Sequence, residues 1–114
     1  MKSRRYAVAS VVALAGIGAL FMAIPGRGAG LKVDIFRFRY NPSPITVHVG
    51  EAATFYNKTK LTHTATCPGC GVDSGDIQPQ TFSTLTFPKA GQFALYCRYH
   101  RESNGMVAVV TVKP

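Results

Sequence analysis

Residues 31–114 predict an all-β domain, an antiparallel β-sandwich or barrel, on two observations. Apolar residues alternate with polar ones in several short runs and do not recur at helical spacing. Turn signals separate those runs: Asn41-Pro42-Ser43-Pro44, Gly50-Glu51 and Pro88-Lys89-Ala90-Gly91. Neither an internal repeat nor a low-complexity tract interrupts the pattern.

The first strand sets Val33, Ile35 and Arg37 on one side and Phe36 and Phe38 on the other, until the prolines at 42 and 44 break it. In the second, Ile45, Val47 and Val49 point inward and Thr46 and His48 outward, as far as Gly50. Ala53 and Phe55 continue the inward set in a third strand that stops near Asn57. Thr81 to Phe87 forms a fourth, and the turn at 88–91 leads into a fifth whose inward positions are Phe93, Leu95 and Cys97. Met106 to Val112 closes the chain. His48, outward between two valines, is expected to be a solvated surface residue.

Residues 1–30 read as a separate unit. Lys2, Arg4 and Arg5 precede an apolar run from Ala7 to Ile24, and small residues follow in Pro25-Gly26-Arg27-Gly28-Ala29-Gly30, the order of a secretory signal peptide. The run over residues 7–24 is also long enough to cross a bilayer, so cleavage near Gly30 and a retained membrane tether are both open. Ser3-Arg4-Arg5 has the paired arginines of twin-arginine export, but Ala7 and Val8 do not fit the rest of that signal. Either route places the domain outside the cytoplasm, in the periplasm or an equivalent compartment.

The whole chain has 13 Lys and Arg against 5 Asp and Glu, a formal net charge of +8. Residues 31–114 keep nine of the basic residues and all five acidic ones, for a net +4. Such a surface steers an acidic docking partner or an anionic membrane face towards it. No basic run is interleaved with aromatics, which argues against nucleic acid as a partner of an exported chain. With 84 residues there is room for one modest core, and a monomer is expected.

The chemistry lies near the end of the chain, where Tyr96-Cys97-Arg98-Tyr99-His100 is followed after a polar loop by Met106. Each residue alone has an ordinary structural reading, a buried thiol or a core thioether. Together they offer thiolate, imidazole and thioether to one centre. A strong thiolate, two imidazoles and a weak axial thioether define a mononuclear electron-transfer copper site, and His63 can supply the second imidazole. Cys97 continues the inward face of Phe93 and Leu95, so its sulfur should emerge inside the core, where a thiolate is costly unless a metal neutralises it.

Cys67-Pro68-Gly69-Cys70 begins four residues after His63. Pro-Gly favours a tight turn that brings both thiols to one side. A disulfide is the default in an oxidising compartment, and a thiol pair that holds Cu(I) beside His63 is the alternative. Nothing around the pair reads as the βαβ unit of a thioredoxin-like motif.

These features together resemble the cupredoxins, and among them the small plastocyanin- and pseudoazurin-like blue copper proteins. The resemblance covers residues 31–114 and runs through Phe36-Arg37-Phe38, Ile45-Thr46-Val47, Phe55-Tyr56-Asn57, His63-Thr64, Asp73-Ser74-Gly75 and Phe87-Pro88-Lys89-Ala90-Gly91-Gln92-Phe93 to Cys97, His100 and Met106. It implies a Greek-key sandwich holding one type 1 copper per chain, with His63, Cys97 and His100 in a near-trigonal plane and Met106 as a long axial contact. It also implies that the Thr64 N–H donates to the Cys97 sulfur, that Asn57 ties the loops beneath the site, and that His100 is the solvent-edge ligand. Two departures stand out. Five residues separate His100 from Met106, one more than is usual in plastocyanin-like loops, and Ala108 stands where the family commonly has glycine.

Three function classes follow. The first is a carrier of single electrons between redox protein partners. The second is a periplasmic copper chaperone or storage protein, and the third a metal-free, adhesion-like sandwich. A complete four-donor set favours the carrier. It also disfavours an enzyme, because it leaves no open position and no paired acid and base accompany it.

Overall fold

The computed structural model describes residues 30–114. The expected signal peptide or anchor lies outside the described residues. Among those described are nine strands: β1 (Leu31–Phe36), β2 (Arg39–Asn41), β3 (Ile45–His48), β4 (Ala52–Asn57), β5 (Thr66–Cys67), β6 (Val72–Asp73), β7 (Phe82–Thr86), β8 (Gly91–Tyr96) and β9 (Val107–Lys113). One four-residue helix, α1 (Arg101–Asn104), interrupts the loop between β8 and β9.

The strands form two facing sheets, ordered β2-β1-β4-β7 and β3-β9-β8-β5-β6. The period-two alternation explains which residues lie between them. Val33, Ile35, Ala53, Phe55 and Leu85 are buried from the first sheet, and Ile45, Val47, Leu95, Ala108, Val110 and Val112 from the second. The outward positions Val107 and Val109 stay about half exposed.

The sandwich is as the alternation implies, but it is not purely antiparallel. Each sheet contains one parallel pair, β1 with β4 and β3 with β9. Alternation reports which side of a strand meets the core. It carries no information on the direction of the neighbouring strand, which is set by where the chain crosses between sheets. The first long run is likewise two strands, because the chain turns at Arg37 and Phe38 and returns as β2. Val49 lies beyond β3 and is 38% exposed. There the Glu51 carboxylate accepts the His48 backbone N–H at 2.8 Å and ends the strand.

The parallel pairing of β1 with β4 positions the site. Ile35 pairs with Asn57, so the segments that follow both strands leave the sandwich at the same end. The Lys58 N–H, donating to the Ile35 carbonyl at 3.0 Å, holds them side by side.

Candidate metal centre

Three segments bring the donors together at that end. His63 pairs with Ile77 through two backbone hydrogen bonds, of 3.2 and 2.7 Å. Cys97 directly follows β8, and His100 closes a turn by donating its N–H to the Cys97 carbonyl at 3.2 Å. The additional residue between His100 and Met106 is absorbed by α1 and by Gly105, whose φ of +63° lies in the left-handed region glycine tolerates. Met106 then bonds back to both partners: its N–H donates to the His100 carbonyl at 3.2 Å and its carbonyl accepts the Cys97 N–H at 3.1 Å. The Met106 side chain is fully buried.

The donor atoms of His63, Cys97 and His100 lie within 4.8 Å of one another. The Cys97 Sγ is 3.7 Å from Nδ1 of His63 and 3.3 Å from Nδ1 of His100. A small ion with bonds of ~2.3 Å to sulfur and ~2.0 Å to nitrogen holds such atoms ~3.5 Å apart, so the gap fits a single metal. His63 and Cys97 are fully buried and His100 is partly exposed, giving a dry site with one imidazole edge towards solvent.

Hydrogen bonding fixes which nitrogen of His63 is free. Its Nε2 is 3.0 Å from the Thr59 hydroxyl, and that hydroxyl donates its single proton to Asn57 Oδ1 at 2.7 Å. The hydroxyl can therefore only accept from His63, which puts the ring proton on Nε2 and leaves the Nδ1 lone pair facing the sulfur. Burial, and then the neighbouring charge of His100, lower the His63 pKa to about 4. A neutral ring is what metal ligation needs.

This has a measurable consequence for the metal-free protein. His63 takes up a proton near pH ~6.5 when unfolded but only near 4 when folded, so the unfolded state binds more protons between those values. Stability should be complete above the upper value and fall by about 2–3 kcal/mol at most as pH drops through the window. Thermal unfolding checks this, with a smaller fall expected in His63→Gln. A fall of equal size in that variant would show that other groups cause it.

The sulfur sits in a frame of polar contacts. The Thr64 N–H points at Cys97 Sγ from 3.4 Å. Thr64 is held from two sides, its carbonyl accepting from the buried Tyr40 hydroxyl at 2.7 Å and its own hydroxyl accepting the Arg98 N–H at 2.9 Å. Burial, and then the nearby Cys97, push the Tyr40 pKa up, so the phenol stays a donor. Asn57 ties the loops beneath, donating to the carbonyls of Leu61 and Ile77 at 2.7 and 2.8 Å and accepting from the Thr59 N–H at 2.9 Å.

Tyr40, Thr59 and Phe38 are contributors that the sequence pattern did not single out. Phe38 adopts a left-handed backbone, φ +63°, at the β1–β2 turn, a conformation costing a bulky residue about 1–2 kcal/mol. It sets the Phe38 ring 5.0 Å from that of His100, over the solvent edge of the site. An aromatic at a strand's end gives no sign of such a turn.

Cys67 and Cys70 form a disulfide, with Cα atoms 5.2 Å apart and both residues fully buried. Neither sulfur is then available to hold Cu(I). His48 stands outside the cluster and is half-buried rather than solvated, its Nδ1 3.6 Å from a Glu51 carboxylate oxygen.

The model of the copper binding proteins, plastocyanin/azurin family, matches residues 28–113. No curated protein matches the sequence. Among solved structures, a reduced amicyanin variant with tyrosine for tryptophan aligns with a TM-score of 0.64 at 24% identity, over 74% of this chain and 82% of that one. A Cu(I) amicyanin variant with alanine for methionine aligns with a TM-score of 0.65 at 22% identity, over 75% and 83%. At this identity the likeness speaks for the fold, whereas the family match spans the sandwich and all the donors described above. The chain belongs to the plastocyanin/azurin family of copper-binding proteins.

Proposed function

We propose that the protein carries single electrons between redox protein partners outside the cytoplasm, through one type 1 copper held by His63, Cys97 and His100 with Met106 as the weak axial donor. The observation that carries this reading is the prearranged donor triad, with His63 and Cys97 buried and both Nδ1 atoms facing one sulfur. Copper supplies a Cu(II)/Cu(I) couple. The residues supply a frame that favours neither state by moving: Thr59 locks the His63 ring, Thr64 holds the sulfur's lone pair, and backbone bonds tie Cys97, His100 and Met106 into one loop.

Such a site transforms no substrate, because its donors occupy every position at which one could bind. The Cys67–Cys70 disulfide and the order of basic, apolar and small residues at the N-terminus both support an extracytoplasmic location. The net positive charge of the domain favours partners with acidic surfaces.

Voltammetry of the copper-loaded protein and its Met106 variants tests the reading. A reversible one-electron couple is expected. Met106→Leu should raise the potential, since losing axial donation destabilises Cu(II) relative to Cu(I), and Met106→Gln should lower it. Wild-type potentials in both variants would place Met106 in the core only, and an irreversible couple with loss of copper would favour a copper chaperone or store.

A further inference from the structure

We propose that an acidic redox protein docks in a basic groove beside His100, between the β1–β2 turn and the loop that follows β4; this rests on the electron-carrier reading. Phe36, Arg37, Lys58, Thr59, Lys60 and Leu61 line the groove. It lies next to the copper site because Thr59 hydrogen-bonds His63 and Phe38 packs on His100.

The positive charge there is only partly compensated. Arg37, Arg39, Lys58 and Lys60 are all exposed, and among the described residues the carboxylate that pairs with any of them is Asp34, shared at 3.9 Å between Lys32 and Lys58. The other acids are engaged or placed elsewhere: Glu51 with His48, Asp73 with Arg98, Asp76 with Tyr99, and Glu102 on α1. Residues 1–29 contain no Asp or Glu, so they bring no further carboxylate.

Aromatic contacts hold the guanidinium groups without neutralising them. Arg37 lies 5.2 Å over the Phe38 ring and Arg39 4.5 Å over Phe36. Arg37, Phe38 and His100 thus form a chain of contacts from the surface to the edge of the metal centre, with the Phe38 and His100 rings tilted by 56°. With Leu61 39% exposed, the surface has a basic rim and an apolar floor. Protruding carboxylates on a partner would pair with the rim, and a groove receives them better than it receives the face of a bilayer.

The test compares Arg37→Glu/Lys60→Glu with a charge-matched control, Lys89→Glu/Lys113→Glu. The control lies at the other end of β8 and β9, where Gly91 pairs with Val112. Amide shifts of the Cu(I) protein titrated with oligoglutamate should map to residues 36–39 and 58–61 and vanish in the groove variant. Oxidation of the Cu(I) protein by ferricyanide, a one-electron anionic acceptor, should slow about tenfold in the groove variant at low salt, and much less in the control. Equal slowing in both variants, or shifts centred on residues 89 and 113, would overturn the proposal in favour of net charge alone. Absence of oligoglutamate shifts, with binding to phosphatidylglycerol vesicles that the groove variant loses, would overturn it in favour of a membrane face. Groove-centred shifts in a wild-type protein that ferricyanide does not oxidise would support the docking surface and sink the carrier reading instead.

Discussion

Cys97→Ser is expected to abolish the intense visible colour of the copper-loaded protein, lower its copper affinity at least about 100-fold and leave the sandwich folded. Cys97 is the only free cysteine among the described residues and is fully buried between two imidazoles. A serine hydroxyl fits the same space, and its oxygen can still accept the Thr64 N–H that now points at the sulfur. It remains protonated, however, and brings no negative charge to the metal. Circular dichroism, the visible spectrum and copper competition against a chelator separate these effects. A serine variant as blue as the wild type would remove Cys97 from the site.

Asn57→Ala is expected to cost about 3–5 kcal/mol of stability, a large fraction of what a small domain has. One buried amide satisfies the Leu61 and Ile77 carbonyls and both the N–H and the hydroxyl of Thr59. Alanine leaves the Thr59 N–H without a partner and removes one of two donors from each carbonyl, Ile77 keeping the His63 N–H at 3.2 Å and Leu61 the Thr59 hydroxyl at 3.2 Å. The Thr59 hydroxyl, released from Asn57, could then turn its proton towards other acceptors, and the tautomer of His63 would no longer be enforced. Copper should dissociate faster in this variant as well as the fold melting earlier. Denaturant unfolding of the metal-free and copper-loaded forms measures both, and a loss below about 1 kcal/mol would show that water or neighbouring groups replace the amide.

What the sequence made legible follows from the two periods it carries. Period-two alternation identified Val33, Ile35, Val47, Phe55 and Leu95 as facing the core, and all are buried. It could not reveal β5 and β6, which are two residues each and held by loop contacts, nor the parallel pairings, which depend on where the chain crosses between sheets. The donors were legible because a cysteine, a histidine and a methionine in one loop are rare chemistry. His63 lies 34 residues before Cys97 and could be matched to them by residue type alone. The partners that fix geometry, Thr59, Tyr40 and Phe38, are common residues to which the pattern assigns no role at the site. Their roles arise only when β1 and β4 end side by side.

The visible spectrum of the copper-loaded protein tests the central claim most directly. A type 1 site built on Cys97, His63 and His100 predicts an intense thiolate-to-Cu(II) band near ~600 nm, at one copper per chain. A colourless Cu(II) protein, or a stoichiometry of two coppers per chain, would contradict it.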